Sequence, residues 1–96
     1  MKFCWDNDKN LKLLSERGID FPSIVRAIAE GKVLDVIPNE KEQYSGQWLI
    51  ILCLNSYVWE VPYRIEKDCI KLITAYPSRK RRKEYMLKFN KDPCQD

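Results

Sequence analysis

The sequence predicts a small α+β domain in which helices pack against an antiparallel sheet, and three observations carry this prediction. The chain has 96 residues, 45% hydrophobic and 32% charged, a composition that supports one folded core and not two. Apolar residues recur at helical spacing near the start and the end of the chain. Between these segments lie stretches rich in β-branched and aromatic residues, which are typical of neighbouring antiparallel strands.

A short strand and two helices are predicted for the first third of the chain. Residues 2–5 alternate polar and bulky side chains, as a short edge strand does. Asp6 or Asn7 can cap a first helix, and Gly18 suits the left-handed residue just past its end. A second helix is predicted to start at Asp20, because aspartate accepts the free backbone N–H groups and a proline follows in the first turn.

The middle of the chain is predicted to form an antiparallel meander. A strand over 33–37 is stopped by Pro38. Residues 47–55 are predicted to form a central strand with both faces buried, because their apolar side chains do not alternate. A tight turn leads into an alternating strand over 57–66, and another strand is predicted over 69–76. The expected sheet has three or four antiparallel strands, with one face under helices and the other open.

The last predicted element is a basic helix at the C-terminal end. Pro77 and Ser78 can open this helix, because proline fits its first turn, and its apolar residues extend to Phe89. We predict a single domain over residues 1–90, followed by a loose tail over 91–96.

The apolar segments predict a protein without a membrane partner. The longest uninterrupted apolar run covers residues 48–54, seven residues, whereas a helix that crosses a bilayer needs about 20. The first six residues lack the apolar stretch of a signal peptide. We therefore expect a cytoplasmic protein.

Histidine and cysteine usage restricts the chemistry that the chain can perform. The sequence contains no histidine, which excludes Ser-His-Asp and Cys-His catalysis and nearly all catalytic zinc sites. The four cysteines are far apart in sequence and form no close pair that could hold zinc. We expect them to be mostly buried, reduced thiols, and we expect neither a metal nor a cofactor. The cysteine positions are Cys4, Cys53, Cys69 and Cys94.

Positive charge is concentrated near the C-terminal end. Residues 1–68 carry 9 basic and 11 acidic side chains, whereas residues 69–96 carry 8 basic and 3 acidic ones. The run of cations at positions 79–83 attracts a polyanion through release of counterions, so nucleic acid is the first partner to consider. A solvated helix face, or a surface for an acidic partner protein, is the alternative. The predicted RNA-binding residues are Arg79, Lys80, Arg82 and Lys83.

Two stretches of the sequence match the pattern of a known protein family. The first stretch is Phe3-x-Trp5-Asp6-x-x-Lys9, followed by Arg17-Gly18-Ile19-x-Phe21. The second stretch is Ile70-Lys71-Leu72-Ile73-Thr74-Ala75-Tyr76, followed by a basic helix with Glu84-Tyr85. Together they resemble the BrnT family of bacterial toxins, which has a RelE-like fold. The chain departs from that family at Arg17, where histidine is usual, and at Tyr76, where arginine is usual.

This resemblance implies the toxin of a type II toxin–antitoxin pair. Such a toxin is an endoribonuclease that arrests translation and is held inactive by a cognate antitoxin protein. The resemblance also implies a hetero-oligomer of toxin and antitoxin that binds operator DNA. Two alternatives remain open: a non-catalytic RelE-like or ParE-like toxin, and a nucleic-acid-binding accessory module.

A histidine-free ribonuclease must build its site from other side chains. In metal-independent cleavage the 2′-hydroxyl attacks the adjacent phosphate, so the site needs a base, an acid and cations. We expect neighbouring cations to lower the pKa of Tyr76 or Lys71. Structural roles are the alternative, with Tyr76 packed under the last helix and Arg64 and Lys71 facing solvent. The predicted catalytic residues are Arg64, Lys71 and Tyr76, and Glu60 and Glu84 are alternative bases.

Overall fold

A central sheet with helices on both faces forms the fold in the computed structural model, which describes residues 2–95. This arrangement confirms the predicted α+β class. In chain order the elements are β1 (Lys2–Cys4), α1 (Asn7–Arg17), α2 (Phe21–Ala29), β2 (Val33–Pro38), β3 (Trp48–Leu54), β4 (Tyr57–Glu66), β5 (Cys69–Leu72), β6 (Tyr76–Pro77) and α3 (Arg79–Phe89). A single 3-10 turn, Glu42–Tyr44, lies in the loop between β2 and β3.

The helix ends follow from the capping residues that the sequence shows. Asp6 accepts hydrogen bonds from the backbone N–H groups of Asp8 and Lys9 at 2.9 and 3.1 Å, which caps α1. Gly18, with φ of 71°, ends α1 in the left-handed conformation. Asp20 caps α2 by accepting from the backbone N–H of Ser23 at 3.0 Å. These predicted boundaries are confirmed.

The sheet is mixed and larger than the predicted antiparallel sheet. Within residues 2–95 it has six strands in the order β1-β5-β4-β3-β2, and β6 also pairs with β4. β1 is an edge strand, as predicted, and it pairs in parallel with β5, which is distant in sequence. The predicted strand over 69–76 is divided, because the chain leaves the ladder after β5 and returns at β6.

Pro62 explains why β4 changes partners in its middle. β6 pairs with Trp59 and Glu60, whereas β5 pairs with residues 63–66. The Pro62 carbonyl accepts from the backbone N–H of Ile73 at 2.9 Å on this side of the strand. A residue's N–H and C=O point to the same side of an antiparallel strand. The side on which proline lacks an N–H is therefore the side where β4 has no strand partner between β5 and β6, and no ladder hydrogen bond is lost.

Helices lie on both faces of the sheet, and α3 covers part of the face that was predicted to be open. On one face, Leu52 and Val61 pack under α1 and α2 with Phe21, and all three are fully buried. On the other face, Ile51 and Val58 pack against α3, where Tyr85 is the buried contact. β3 therefore buries side chains in both directions, as its continuous apolar run predicted. The sequence pattern of α3 did not indicate its contact with this sheet face, because a single side chain, Tyr85, provides most of that contact.

The cysteines are paired as disulfides, so the prediction of reduced thiols is wrong. Cys4 is bonded to Cys69, with Cα atoms 6.1 Å apart, and Cys53 is bonded to Cys94, with Cα atoms 5.3 Å apart. Separations of 65 and 41 residues conceal this adjacency in the sequence. The tail that was predicted to be loose is held through Cys94, and Asp92 also pairs with Arg82 at 3.4 Å. Asp96 lies outside the described residues.

Candidate functional site

The three predicted catalytic residues lie in two places on the sheet face that α3 partly covers. Arg64 of β4 is in register with Lys71 of β5. Tyr76 of β6 is instead in register with Glu60, four residues earlier in β4. At a rise of about 3.3 Å per residue, the two places are separated by ~13 Å along the strand. The structure therefore brings Arg64 and Lys71 together and places Tyr76 elsewhere.

Glu60 is the centre of a buried polar cluster beneath α3. Its side chain is only 12% exposed. The Tyr76 hydroxyl donates a hydrogen bond to one Glu60 carboxylate oxygen at 3.2 Å. The Arg81 Nε lies 3.4 Å from the other oxygen, and a terminal nitrogen of Arg81 lies 3.1 Å from Glu84. Two strands and a helix thus place a carboxylate, a phenol and a guanidinium in direct contact.

The start of α3 determines which of its cations face the sheet. Ser78 caps the helix by accepting from the backbone N–H of Arg81 at 3.1 Å. Arg81 and Tyr85 are four residues apart, so they share the inward helix face. The Tyr85 hydroxyl donates to Asp35 of β2 at 3.0 Å, which anchors this face. Sequence reasoning missed Arg81, although its four-residue spacing from an apolar tyrosine was the signal that could have found it.

A cleft of about 230 Å³ opens above this cluster. One wall is the start of the loop between β2 and β3, which a hydrogen bond of 3.0 Å from the Asn39 N–H to the Gln47 carbonyl closes. The ammonium groups of Lys41 and Lys80 belong to exposed side chains at its rim. The residues around the cleft are Asn39, Glu40, Lys41, Leu49, Glu60, Tyr76, Lys80 and Arg81. Nothing in the sequence pattern indicated Asn39 or Lys41, because a polar loop has no periodicity.

The protonation of the cluster differs from the sequence expectation. Burial, followed by the charge of Glu60 and its hydrogen bond, raises the pKa of Tyr76 to about 12. The expected lowering of the Tyr76 pKa by cations is therefore wrong, because burial and the adjacent Glu60 carboxylate outweigh the charge of Arg81. Burial acts to lower the pKa of Arg81, but the contacts with Glu84 and Glu60 outweigh it and raise that pKa. At neutral pH the cluster contains a protonated phenol beside a cation.

Arg64 and Lys71 meet at Glu66, near the end of β4. Arg64 lies 2.8 Å from Glu66, and Lys71 lies 3.7 Å from it. The hydrogen bond from Arg64 is the main cause that holds the pKa of Glu66 below its ordinary value. All three side chains are between 31% and 49% exposed, so water surrounds this group.

The cations at 79–83 do not act as one surface. Arg79, Lys80 and Lys83 are exposed. Arg82 is half-buried, where it pairs with Asp92 and lies 5.4 Å from the centre of the Tyr57 ring. The exposed members are free of these structural contacts, whereas Arg82 connects α3 to the tail.

Metal ligation and membrane insertion have no structural support within the described residues. Residues 2–95 contain no group of three or more histidine, cysteine, aspartate or glutamate side chains that could hold a metal ion. No helix in that range is long and apolar enough to cross a membrane.

Comparison with known proteins gives a family for the chain. A family model matches residues 11–77, which run from α1 through β6. The matched region contains Glu60 and Tyr76 and stops before α3, so the cations of that helix lie beyond it. No curated protein matches the chain. Because the family model covers more than half of its residues, the chain belongs to the family described as a domain of unknown function, DUF4258.

Proposed function

We propose that this protein is the toxin of a type II toxin–antitoxin pair and acts as a metal-independent endoribonuclease. The observation that carries the proposal is the contact of Glu60 with both the Tyr76 hydroxyl and the Arg81 guanidinium at the base of a cleft. A base, a proton donor and cations are the groups that RNA transesterification needs. The resemblance of the terminal stretches to BrnT toxins supports the same function.

Glu60 is the proposed general base. Its carboxylate takes the proton of the ribose 2′-hydroxyl, and the 2′-oxygen forms a bond to the adjacent phosphorus. The bond from phosphorus to the 5′-oxygen breaks, which yields a 2′,3′-cyclic phosphate and a 5′-hydroxyl end. Arg81 and Lys80 border the same cleft, where their positive charges stabilise the negative charge that develops on the phosphate oxygens.

Tyr76 is the proposed general acid. With a pKa of about 12, its phenol keeps its proton at neutral pH and can give it to the leaving 5′-oxygen. After the reaction Glu60 carries a proton and Tyr76 has lost one. The proton then returns from Glu60 to Tyr76 along their 3.2 Å contact, and the site is restored without a further group.

This proposal gives catalytic roles to Glu60, Tyr76 and Arg81, and it gives none to Arg64 and Lys71. The latter two lie ~13 Å from Glu60 along β4, and both contact Glu66 instead of the Glu60 cluster. Lys80 keeps its predicted role as an RNA contact. Arg79 and Lys83 stay predicted contacts on the exposed side of α3.

The direct test is cleavage of single-stranded RNA by the purified chain in EDTA, with the new ends mapped chemically. We expect cyclic phosphate ends from the wild-type chain, and a rate roughly 10² to 10⁴ lower for Glu60→Gln and for Tyr76→Phe. Glu30→Gln and Tyr63→Phe are matched controls outside the cleft, and they should keep the wild-type rate. Circular dichroism establishes that each variant is folded. Loss of wild-type cleavage in EDTA, or full activity of Glu60→Gln, would contradict the mechanism.

Induced expression in bacteria tests the toxin assignment independently of the mechanism. Growth arrest with new RNA 5′ ends is expected for the wild-type chain and not for Glu60→Gln. Arrest with intact RNA would favour a non-catalytic ParE-like toxin. RNA binding without arrest would favour an accessory module.

A further inference from the structure

A second basic groove runs between α1 and the segment that follows β5. Two neighbouring cavities of about 220 and 270 Å³ both border on Lys9 and Ile73, and together they are called the groove. Five cations and two carboxylates, Asp6 and Glu16, line it, which gives a net charge of +3. The five cations are Lys9, Lys12, Arg17, Arg64 and Lys71.

Most of this positive charge is not neutralised by neighbouring carboxylates. Among residues 2–95, Lys9, Lys12 and Arg17 make no ion pair within 4 Å, whereas Arg64 and Lys71 share Glu66. Arg17 donates to the Ala75 carbonyl at 2.6 Å, which fixes its guanidinium against the segment after β5. The groove therefore combines one cation at a defined position with two exposed lysines, unpaired within the described part of the chain, that are available to an anion.

The cations are arranged in a line that fits a chain of phosphates. At 1.5 Å per residue, α1 carries the line over ~12 Å from Lys9 to Arg17. A strand that advances at least 3.4 Å per nucleotide places at most about three or four phosphates along that length. The two cavities are each smaller than a typical pocket for a drug-sized ligand, about 300 Å³ or more, so they suit the phosphates of a strand and not a whole nucleotide.

The lining of the groove, which has no aromatic side chain among residues 2–95, indicates contact with the backbone of the strand and not with its bases. Leu13, Leu72 and Ile73 are the apolar residues of the groove, and no aromatic side chain lines it within residues 2–95. Base stacking on aromatic rings is therefore not available, and phosphate contacts carry no sequence information. Binding here should tolerate any sequence.

We propose that this groove binds the phosphate backbone of single-stranded RNA on one side of the bond that is cut. Residues 72–74 line the groove, and only Ala75 separates them from Tyr76 of the cleft, so the two sites are close along the chain. Arg64 and Lys71 then act as positioning residues. The inference rests on the proposed function for its link to cleavage, and the binding itself is measured without cleavage.

The test is fluorescence anisotropy with a labelled oligouridine of about 12 nucleotides, methylated at every 2′-oxygen so that it cannot be cut. Lys9→Gln combined with Lys12→Gln should weaken binding about tenfold and lower the slope of log affinity against log salt by about 1.4. Lys71→Gln, at the far end of the groove, should lower the slope by about 0.7. Lys32→Gln combined with Lys91→Gln removes the same charge outside the groove and should leave the slope unchanged.

Several outcomes would overturn the groove assignment. Equal losses in the control pair would mean that net charge alone controls binding. Absence of wild-type binding would show that the groove does not bind RNA. Displacement of the RNA by polyglutamate at equal charge concentration would indicate that the groove binds an acidic protein instead. Displacement by inorganic phosphate at matched ionic strength would show that single phosphates bind without a strand.

A parallel assay with cleavable RNA separates this inference from the proposed function. The Lys9 and Lys12 variant should raise KM and leave kcat unchanged, because its residues position the strand and do not touch the reacting phosphate. Groove binding without any cleavage would contradict the proposed function and leave the groove intact. Normal cleavage with an unchanged KM in the variant would contradict the groove and leave the proposed function intact.

Discussion

Glu60 and Glu66 lie on the same strand and the same sheet face, and each contacts an arginine, yet their surroundings are opposite. The Glu60 and Arg81 side chains are 12% and 15% exposed, whereas Glu66 and Arg64 are 40% and 49% exposed. The exposed pair has the shorter contact, 2.8 Å against 3.4 Å. Because water screens an exposed pair, distance alone does not rank these interactions, and burial decides which carboxylate matters to the fold.

The position of α3 creates this difference. The helix covers the middle of β4, where Tyr85 packs against Val58 and Ile51. The end of β4 extends beyond it, so Glu66 projects into solvent. One strand thereby provides a dry site that can hold a proton between two side chains and a wet site that can exchange ions with a polyanion. The proposed division between chemistry at Glu60 and strand binding at Arg64 follows from this geometry.

Each of the two regions has its own disulfide, and removing them has the largest expected effect on stability. Cys69 is in register with Glu66, whereas Cys53 and Cys94 lie on the side of α3. Loops of 41 and 65 residues imply a loss of ~4 kcal/mol in the free energy of unfolding for either pair replaced by alanine. Urea denaturation measures both variants. A difference above about 2 kcal/mol between them would show that local packing, and not chain entropy, dominates.

Two matched substitutions test whether burial separates Glu60 from Glu66. Glu60→Gln keeps the size of the side chain but leaves the buried Arg81 guanidinium with Glu84 alone, so we expect a loss of about 3 kcal/mol in the free energy of unfolding, the low end for a broken buried pair. Glu66→Gln should cause a much smaller loss at the same pH, because its partners are solvated. Urea denaturation at pH 7 compares the two. Equal losses would mean that burial does not separate these sites.

The local features of the fold were predictable from the sequence because they depend on residues within one helical turn. Asp6 and Asp20 cap the helices that they precede, and Gly18 ends the first one. The alternation in β4 correctly assigned its two faces, since side chains on a strand follow a period of two. Each of these rules relates residues that are at most four positions apart.

The features that the sequence did not predict depend on contacts between distant segments. The Cys4–Cys69 bond follows from the parallel pairing of β1 with β5, and no local signal indicates that pairing. Tyr76 was a predicted site residue, but its pKa depends on Glu60, which is 16 residues away and becomes its neighbour only through β6. Sequence reasoning therefore identified the phenol and gave the wrong direction for its pKa.

Raising the pH to alkaline values should cause the smallest change in stability per side chain, and this change is specific to the buried tyrosines. The pKa of Tyr76 is raised from 10.0 to about 12, and that of Tyr85 is also raised to about 12 by burial and its bond to Asp35. Between these values the unfolded chain loses protons that the folded chain keeps, so stability is intact below pH 10 and falls as pH rises toward 12. Linkage gives about 1.3 kcal/mol per tyrosine between pH 9 and pH 11.

Phenylalanine substitutions separate the contributions of Tyr76 and Tyr85 to this pH dependence, and Glu66 shows the opposite dependence. Tyr76→Phe and Tyr85→Phe should each remove a similar and large part of the alkaline loss measured by urea denaturation, and Tyr63, whose pKa burial also raises, contributes to the remainder. The lowered pKa of Glu66 acts in the opposite range, because its contribution is present above its ordinary value of 4.5 and is lost as pH falls. Acid should therefore weaken the exposed group and alkali the buried one. An alkaline loss of undiminished size in the variant with both phenylalanine substitutions would show that Tyr76 and Tyr85 do not retain their protons.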